Sequence, residues 1–256
     1  MSWLAEIWLA TSLVALAAGA AGYFVVVRRA GFAAHSLPMA AFPGAAAASL
    51  FGFPLWLGLG GFALGGAGLL ALMQRRARRD SATALLLSGL LALGALFLSL
   101  SGHYAGSVYG LLFGQVFALG PADLPVLGAI GLCVPLALWL MMRPLSLSAL
   151  SPELTRVQGG NPALLEFLFL ALLALAAGFA VPVTGALLVF SLMLGPGAAA
   201  ARLCARPGGA FLLSMGLALG LSSVSLALAY VSDWPMGFFT GGGAALVYLG
   251  ARMTRA

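Results

Sequence analysis

Residues 3–29 read WLAEIWLATSLVALAAGAAGYFVVVRR: one charged side chain, Glu6, lies among twenty-five residues, and the pair Arg28-Arg29 follows. The ~30 Å hydrocarbon layer of a bilayer takes roughly 20 apolar residues per helix, which this run supplies with a margin. It is longer than the apolar segment of a cleaved leader and has no basic residue before it, so it is expected to remain as a first membrane span.

The same grammar repeats outward from this run. Apolar stretches broken by arginine, proline or polar clusters predict about nine helices, with eight as the other count, over 3–27, 31–51, 54–73, 82–100, 121–142, 163–180, 183–201, 209–231 and 236–251. Of 256 residues, 62% are hydrophobic and 7% charged, whereas soluble domains carry about 25% charged residues. The expectation is an all-α, polytopic integral membrane protein, one transmembrane domain over 1–256 with no room for a soluble one.

The 12 basic residues are all arginine, against 6 acidic ones. Without lysine there is no GxxxxGK[ST] loop to hold nucleotide phosphates, so any ATP chemistry belongs to another subunit. Arginines in pairs between apolar runs do not make the basic face that nucleic acid needs. With the N-terminus outside, alternation puts Arg28, Arg29, Arg75, Arg76, Arg78, Arg79, Arg143, Arg156, Arg202, Arg206, Arg252 and Arg255 all on the cytoplasmic side, along with the C-terminus. Arginine bias in short loops sets orientation, which supports both the span count and its direction. Cys133 and Cys204 are far apart and read as packing residues.

Residues 102–120 are apolar but glycine-rich, with Gly106, Gly110 and Gly114 at intervals of four. They read as a re-entrant or interfacial element on the outer side, with His103 beside Tyr104 in a solvated stretch. Spacing by four lets backbones approach, and it recurs at Gly61/Gly65 and Gly216/Gly220, where tight helix packing is expected. The longest polar stretch is RPLSLSALSPELTRVQGGNP, 143–162. Ser151-Pro152-Glu153 predicts the start of a short surface helix, Gly159-Gly160 its stop, and Asn161-Pro162 the cap of the next span. An ordinary loop and a docking helix for a cytoplasmic partner both fit that composition.

Ionisable groups inside a bilayer are expensive and mark candidate sites. Glu6, Asp80, Asp123, Glu166 and Asp233 all lie where capping, the helix dipole or the interface explains them. His35 does not: it sits within GFAAHSLPMAAFPG with no carboxylate nearby, and Met39 is four residues on, on the same face of an uninterrupted helix. Pro38 and Pro43 are expected to kink or open that helix, freeing carbonyls as transporters do at midplane sites. Together these residues outline a soft-cation position, although a histidine and a methionine also pack together without binding anything.

Five stretches in order resemble the membrane subunits of bacterial ABC importers for zinc, manganese and iron. GYFVVVRRAGFAAHSLPMAAFPG resembles an arginine-ended first span followed by GD-[AT]-L-x-H-A-x-L-x-G; LLFGQVFALGPADL (111–124) resembles YLFG-x-[IL]-LAV-x-x-x-DL; LSALSPELTRVQG resembles the segment that touches the ATPase. VTGALLVFSLMLGPGAAAARLCARP and the run Asp233 to Gly237 resemble the two later motifs. The resemblance implies a type II ABC-importer-like bundle, a permease subunit that is not itself an enzyme, a separate ATPase, an extracytoplasmic metal-binding protein, a homodimer, and a bacterial inner-membrane location among lipid. It implies no tightly bound cofactor, only a transported metal ion.

On this resemblance the family's intramembrane aspartate and histidine fall at His35 and Met39, so the carboxylate is lost and a thioether replaces the second ligand. Imidazole suits zinc and other borderline ions better than manganese, which favours oxygen. The donors argue for an ion softer than manganese, and the family resemblance implies zinc as the cargo. Residues 144–162 would couple to the ATPase, through Glu153, Arg156, Gly159 and Gly160. The alternatives are an ABC importer subunit for a siderophore- or cobalamin-type chelate, and a secondary transporter, for which the sequence offers neither buried carboxylates nor an inverted repeat.

Overall fold

The computed structural model describes residues 3–73, 79–101, 110 and 112–254. Arg75, Arg76, Arg78, Arg255 and His103 lie outside them, as do the side chains of Arg79 and Asp80. The chain is helical, with no strand among the described residues. Its helices are α1 (Trp3–Val27), α2 (Gly31–Phe51), α3 (Leu55–Met73), α4 (Arg79–Ser101), α5 (Leu124–Leu140), α6 (Met142–Leu150), α7 (Pro152–Val157), α8 (Pro162–Thr184), α9 (Val189–Leu203), α10 (Pro207–Ser232) and α11 (Met236–Met253). Among the described residues, five segments are long and apolar enough to cross a membrane, by length and composition alone: α1, α3, Pro121–Leu140, α8 and α10. The prolines and His35 of α2 and the glycines and Arg252 of α11 dilute their apolar character, and α9 is short.

Burial follows composition. The alanine- and glycine-rich α1 is the hub: 72% of its apolar stretch is buried against 28% for Pro121–Leu140. It packs on α5, α8, α9 and α10, while α2 packs on α3, α4 and α8, so α8 joins two groups of helices. Small residues permit the crossings. A Cβ on Gly58 would overlap the Gly44 carbonyl between α2 and α3, and one on Gly22 would overlap the Met193 carbonyl between α1 and α9. Between α1 and α10, the Ser214 hydroxyl donates to the Gly19 carbonyl at 2.6 Å.

The glycine pairs picked out by spacing are not these. Gly61, Gly65, Gly216 and Gly220 have no atom within 4 Å of where a Cβ would sit, because they face outward from the bundle. Spacing by four shows that a smooth stripe exists but not which way it points. Replacing Gly58 with leucine should therefore lower stability by about 1–3 kcal/mol through overpacking, read as a lower thermal midpoint in detergent, whereas Gly61→Leu should leave it in place.

Contacts sort the helix ends into two sets. At one end Trp3 meets Phe117, the Trp56 indole donates to Asp123 at 2.9 Å, and the Gln115 amide donates to the Pro182 carbonyl at 2.9 Å. At the other, Arg28 meets Glu166 and the Trp139 ring lies 5.5 Å from that of Phe211. These are the ends that the arginine pattern assigns to opposite sides of the membrane.

Two boundaries differ from expectation. Pro182 was expected to separate two spans, yet α8 runs through it to Thr184 and the stop is Gly185, at φ 84°. A proline inside a membrane helix is tolerated when neighbours satisfy the freed backbone, and Gly185, like Gly114 (φ 85°) packed against it, needs the conformation that only glycine adopts readily. The second is α6: residues 142–150 form a helix of their own rather than part of a loop, because Leu145 and Ser148 turn inward and are buried.

Candidate functional site

Helix α2 carries the residues singled out by sequence. The turn from α1 is three residues long, with Arg29 left-handed (φ 54°) and the Ala30 amide donating to the Val25 carbonyl at 2.9 Å. Of the expected kink or opening, the opening does not occur: the helix continues without a break through Pro38 and Pro43. What the prolines do is withhold the donors that would have met the carbonyls of Ala34 and Met39.

His35 lies in the second turn. Its ring meets Phe190 of α9 edge-on at 5.5 Å, and its Nδ1 is buried with no hydrogen-bond partner among the described residues. Phe190 also walls a cavity of about 610 Å³ between the end of α1, α9 and α11, lined in addition by Arg29, Ser191 and Tyr248. Met39, one turn beyond His35, is 2% exposed and belongs to the main apolar core. No group of three His, Cys, Asp or Glu residues able to hold a metal occurs among the described residues. The donors this face offers are thus one imidazole, one thioether and carbonyls freed by proline.

Residues 151–162 fold as read from their caps. Ser151 Oγ accepts from the Leu154 amide at 3.2 Å, Pro152 opens α7, and Gly159 (φ 78°) with the Gly160 amide donating to the Thr155 carbonyl at 2.8 Å closes it. Asn161 Oδ1 then accepts from the amides of Ala163 and Leu164 at 3.0 and 3.2 Å. Glu153, Arg156, Gly159 and Gly160 are all exposed. So are three apolar side chains, Leu150, Leu154 and Val157, the first at 85%. Behind them lies a cavity of about 330 Å³ reaching from Arg143 to Leu165.

Sequence reasoning missed what joins this segment to the bundle. Arg28 is only 7% exposed; it pairs with Glu166 and donates to the Leu145 carbonyl at 2.9 Å and to Ser148 Oγ at 2.8 Å. Its guanidinium lies over the Phe169 ring, 5.0 Å from the centroid. By sequence Arg28 is a topology signal and Glu166 an interfacial carboxylate, and nothing in local spacing links residues 138 positions apart.

The profile of the family described as ABC-3, the ABC 3 transport family, matches residues 1–254. The chain belongs to the ABC 3 transport family. The ABC 3 chain is 29% identical over 211 residues to the manganese transport system membrane protein MntC of Halalkalibacterium halodurans, covering 80% of this chain and 71% of that protein. It is 30% identical over 141 residues to the high-affinity zinc uptake system membrane protein ZnuB of Haemophilus influenzae, covering 53% and 54%. Its fold matches a chain of PsaBC from Streptococcus pneumoniae, solved in complex with Fab, with a TM-score of 0.88 at 21% identity, covering 98% of this chain and 91% of that one. As a member of the ABC 3 family it is a multi-pass membrane permease rather than a catalyst.

Proposed function

We propose that this permease carries a divalent transition metal inward, zinc above all, for an ATP-driven importer. The reading rests on His35: a half-buried imidazole with an unpartnered Nδ1, one turn from a thioether, on a proline-bearing helix without a carboxylate beside it. Such donors favour zinc over manganese, whose preferred ligands are carboxylate and carbonyl oxygen. Two ATPase copies grip the exposed segment around Glu153 and Arg156, two permeases pair, and an extracytoplasmic protein delivers the ion. The arginine-bearing end faces the cytoplasm, by the positive-inside rule.

Manganese is the second reading, favoured by the likeness to a protein named for manganese transport across 80% of the chain. Uptake of radiolabelled zinc and manganese into proteoliposomes holding permease and ATPase separates the two. Zinc accumulation that a tenfold excess of manganese fails to inhibit supports the proposal, and the reverse ranking overturns it.

A further inference from the structure

One buried cation ties together three parts of the molecule that the transport cycle has to move. Arg28 directly follows the hub helix α1; its guanidinium binds Glu166 in the second turn of α8, and on its other terminal nitrogen the Leu145 carbonyl and Ser148 hydroxyl of α6. Leu145 and Ser148 belong to the segment proposed to meet the ATPase. On the opposite side, only Arg29 and Ala30 separate Arg28 from α2, and that turn is closed by the Ala30–Val25 and Arg29–Val26 backbone bonds. His35 follows in the second turn of α2, so there is little slack between α6 and the imidazole.

Simple anchoring does not require this arrangement, since apolar side chains of similar volume would hold two helices as well as a buried ion pair does. A planar fork with several fixed donors does more, because it sets the angle between the segments it joins. Breaking it strands a charge in a buried place, so a shift of α6 draws α1 and the α2 turn along rather than sliding past them.

We propose that Arg28, held by Glu166, is the positioning residue that carries movement of the 144–162 segment to the α1–α2 turn and so to His35. This rests on the reading of that segment as the ATPase grip.

The test uses the full permease–ATPase complex, with Cys133 and Cys204 replaced by serine and spin labels placed in pairs at the exposed positions 32 and 231, or 158 and 231. Both distances are measured without nucleotide and with a trapped ATP analogue. Both should change in the parent complex. In Arg28→Gln the 158–231 change should persist while the 32–231 change falls below half, and Arg28→Lys should restore part of it. Zinc transported per ATP hydrolysed should fall about tenfold or more in Arg28→Gln, about 1.4 kcal/mol of lost coupling.

A 32–231 change of undiminished size in Arg28→Gln overturns the proposal. If that variant does not assemble, Glu166→Gln, which removes the charge but keeps an acceptor, is judged by the same criterion. Label 158 standing still in the parent complex refutes the coupling reading and the strut with it. A parent complex that moves no metal refutes only the metal reading, because the label distances do not depend on the cargo.

Discussion

Replacing His35 with alanine should reduce metal uptake to background while the protein assembles normally. The imidazole supplies the sole nitrogen donor identified on its face of α2, and loss of groups that merely orient a metal ligand already costs 10–100-fold in affinity or activity, so removal of the ligand itself should cost at least about 100-fold. Stability should hardly change. The Nδ1 of His35 is buried without a partner, a condition that costs rather than contributes stability, and alanine removes it. A packing role predicts the opposite pairing, a lowered thermal midpoint with uptake retained.

Met39→Leu refines the point. Leucine conserves volume, so the core around this residue should lose less than about 1.5 kcal/mol, and the one chemical change is loss of the thioether. Uptake weakened at unchanged stability assigns the sulfur a ligand role; unchanged uptake leaves Met39 in the core alone.

The second large effect concerns the grip on the motor. Leu150, Leu154 and Val157 are exposed apolar side chains beside Glu153 and Arg156, and clustered exposed apolar groups mark interaction surfaces. Leu154→Asp should release the ATPase, so that the two no longer copurify and uptake falls by about 100-fold or more, which a loss of about 3 kcal/mol at an interface centre would produce. The permease should keep its thermal midpoint, since substitutions at exposed positions away from the core typically change stability by no more than about 0.5 kcal/mol. Copurification and uptake that survive Leu154→Asp would show that the motor grips elsewhere.

Much of the fold was legible because the bilayer punishes errors of pattern. Long apolar runs ended by arginine can be little else, and α1, α2, α10 and α11 begin and end within two residues of expectation. Caps were equally readable: Ser151, Pro152, Gly159 and Asn161 act through local hydrogen bonds whose partners are only a few residues away. Proline misled where it stood inside a helix. Its breaking rule comes from exposed helices, and at Pro38, Pro43 and Pro182 the surrounding helices hold the backbone in register.

The candidate site was only half legible. Position along α2 followed from sequence, but the meeting of His35 with Phe190 and of Arg28 with Glu166 depends on which helices become neighbours. The glycine pairs show the same limit, for the α2–α3 crossing uses Gly44 and Gly58, which no regular spacing marks.

The central claim is that this chain is a conduit for metal, driven from outside itself. Proteoliposomes holding the purified permease, with and without its ATPase, and supplied with radiolabelled zinc and its delivery protein, test it directly. Accumulation should require both ATPase and internal ATP and should vanish with His35→Ala. Zinc accumulating in vesicles that hold the permease alone under an ion gradient would contradict the account.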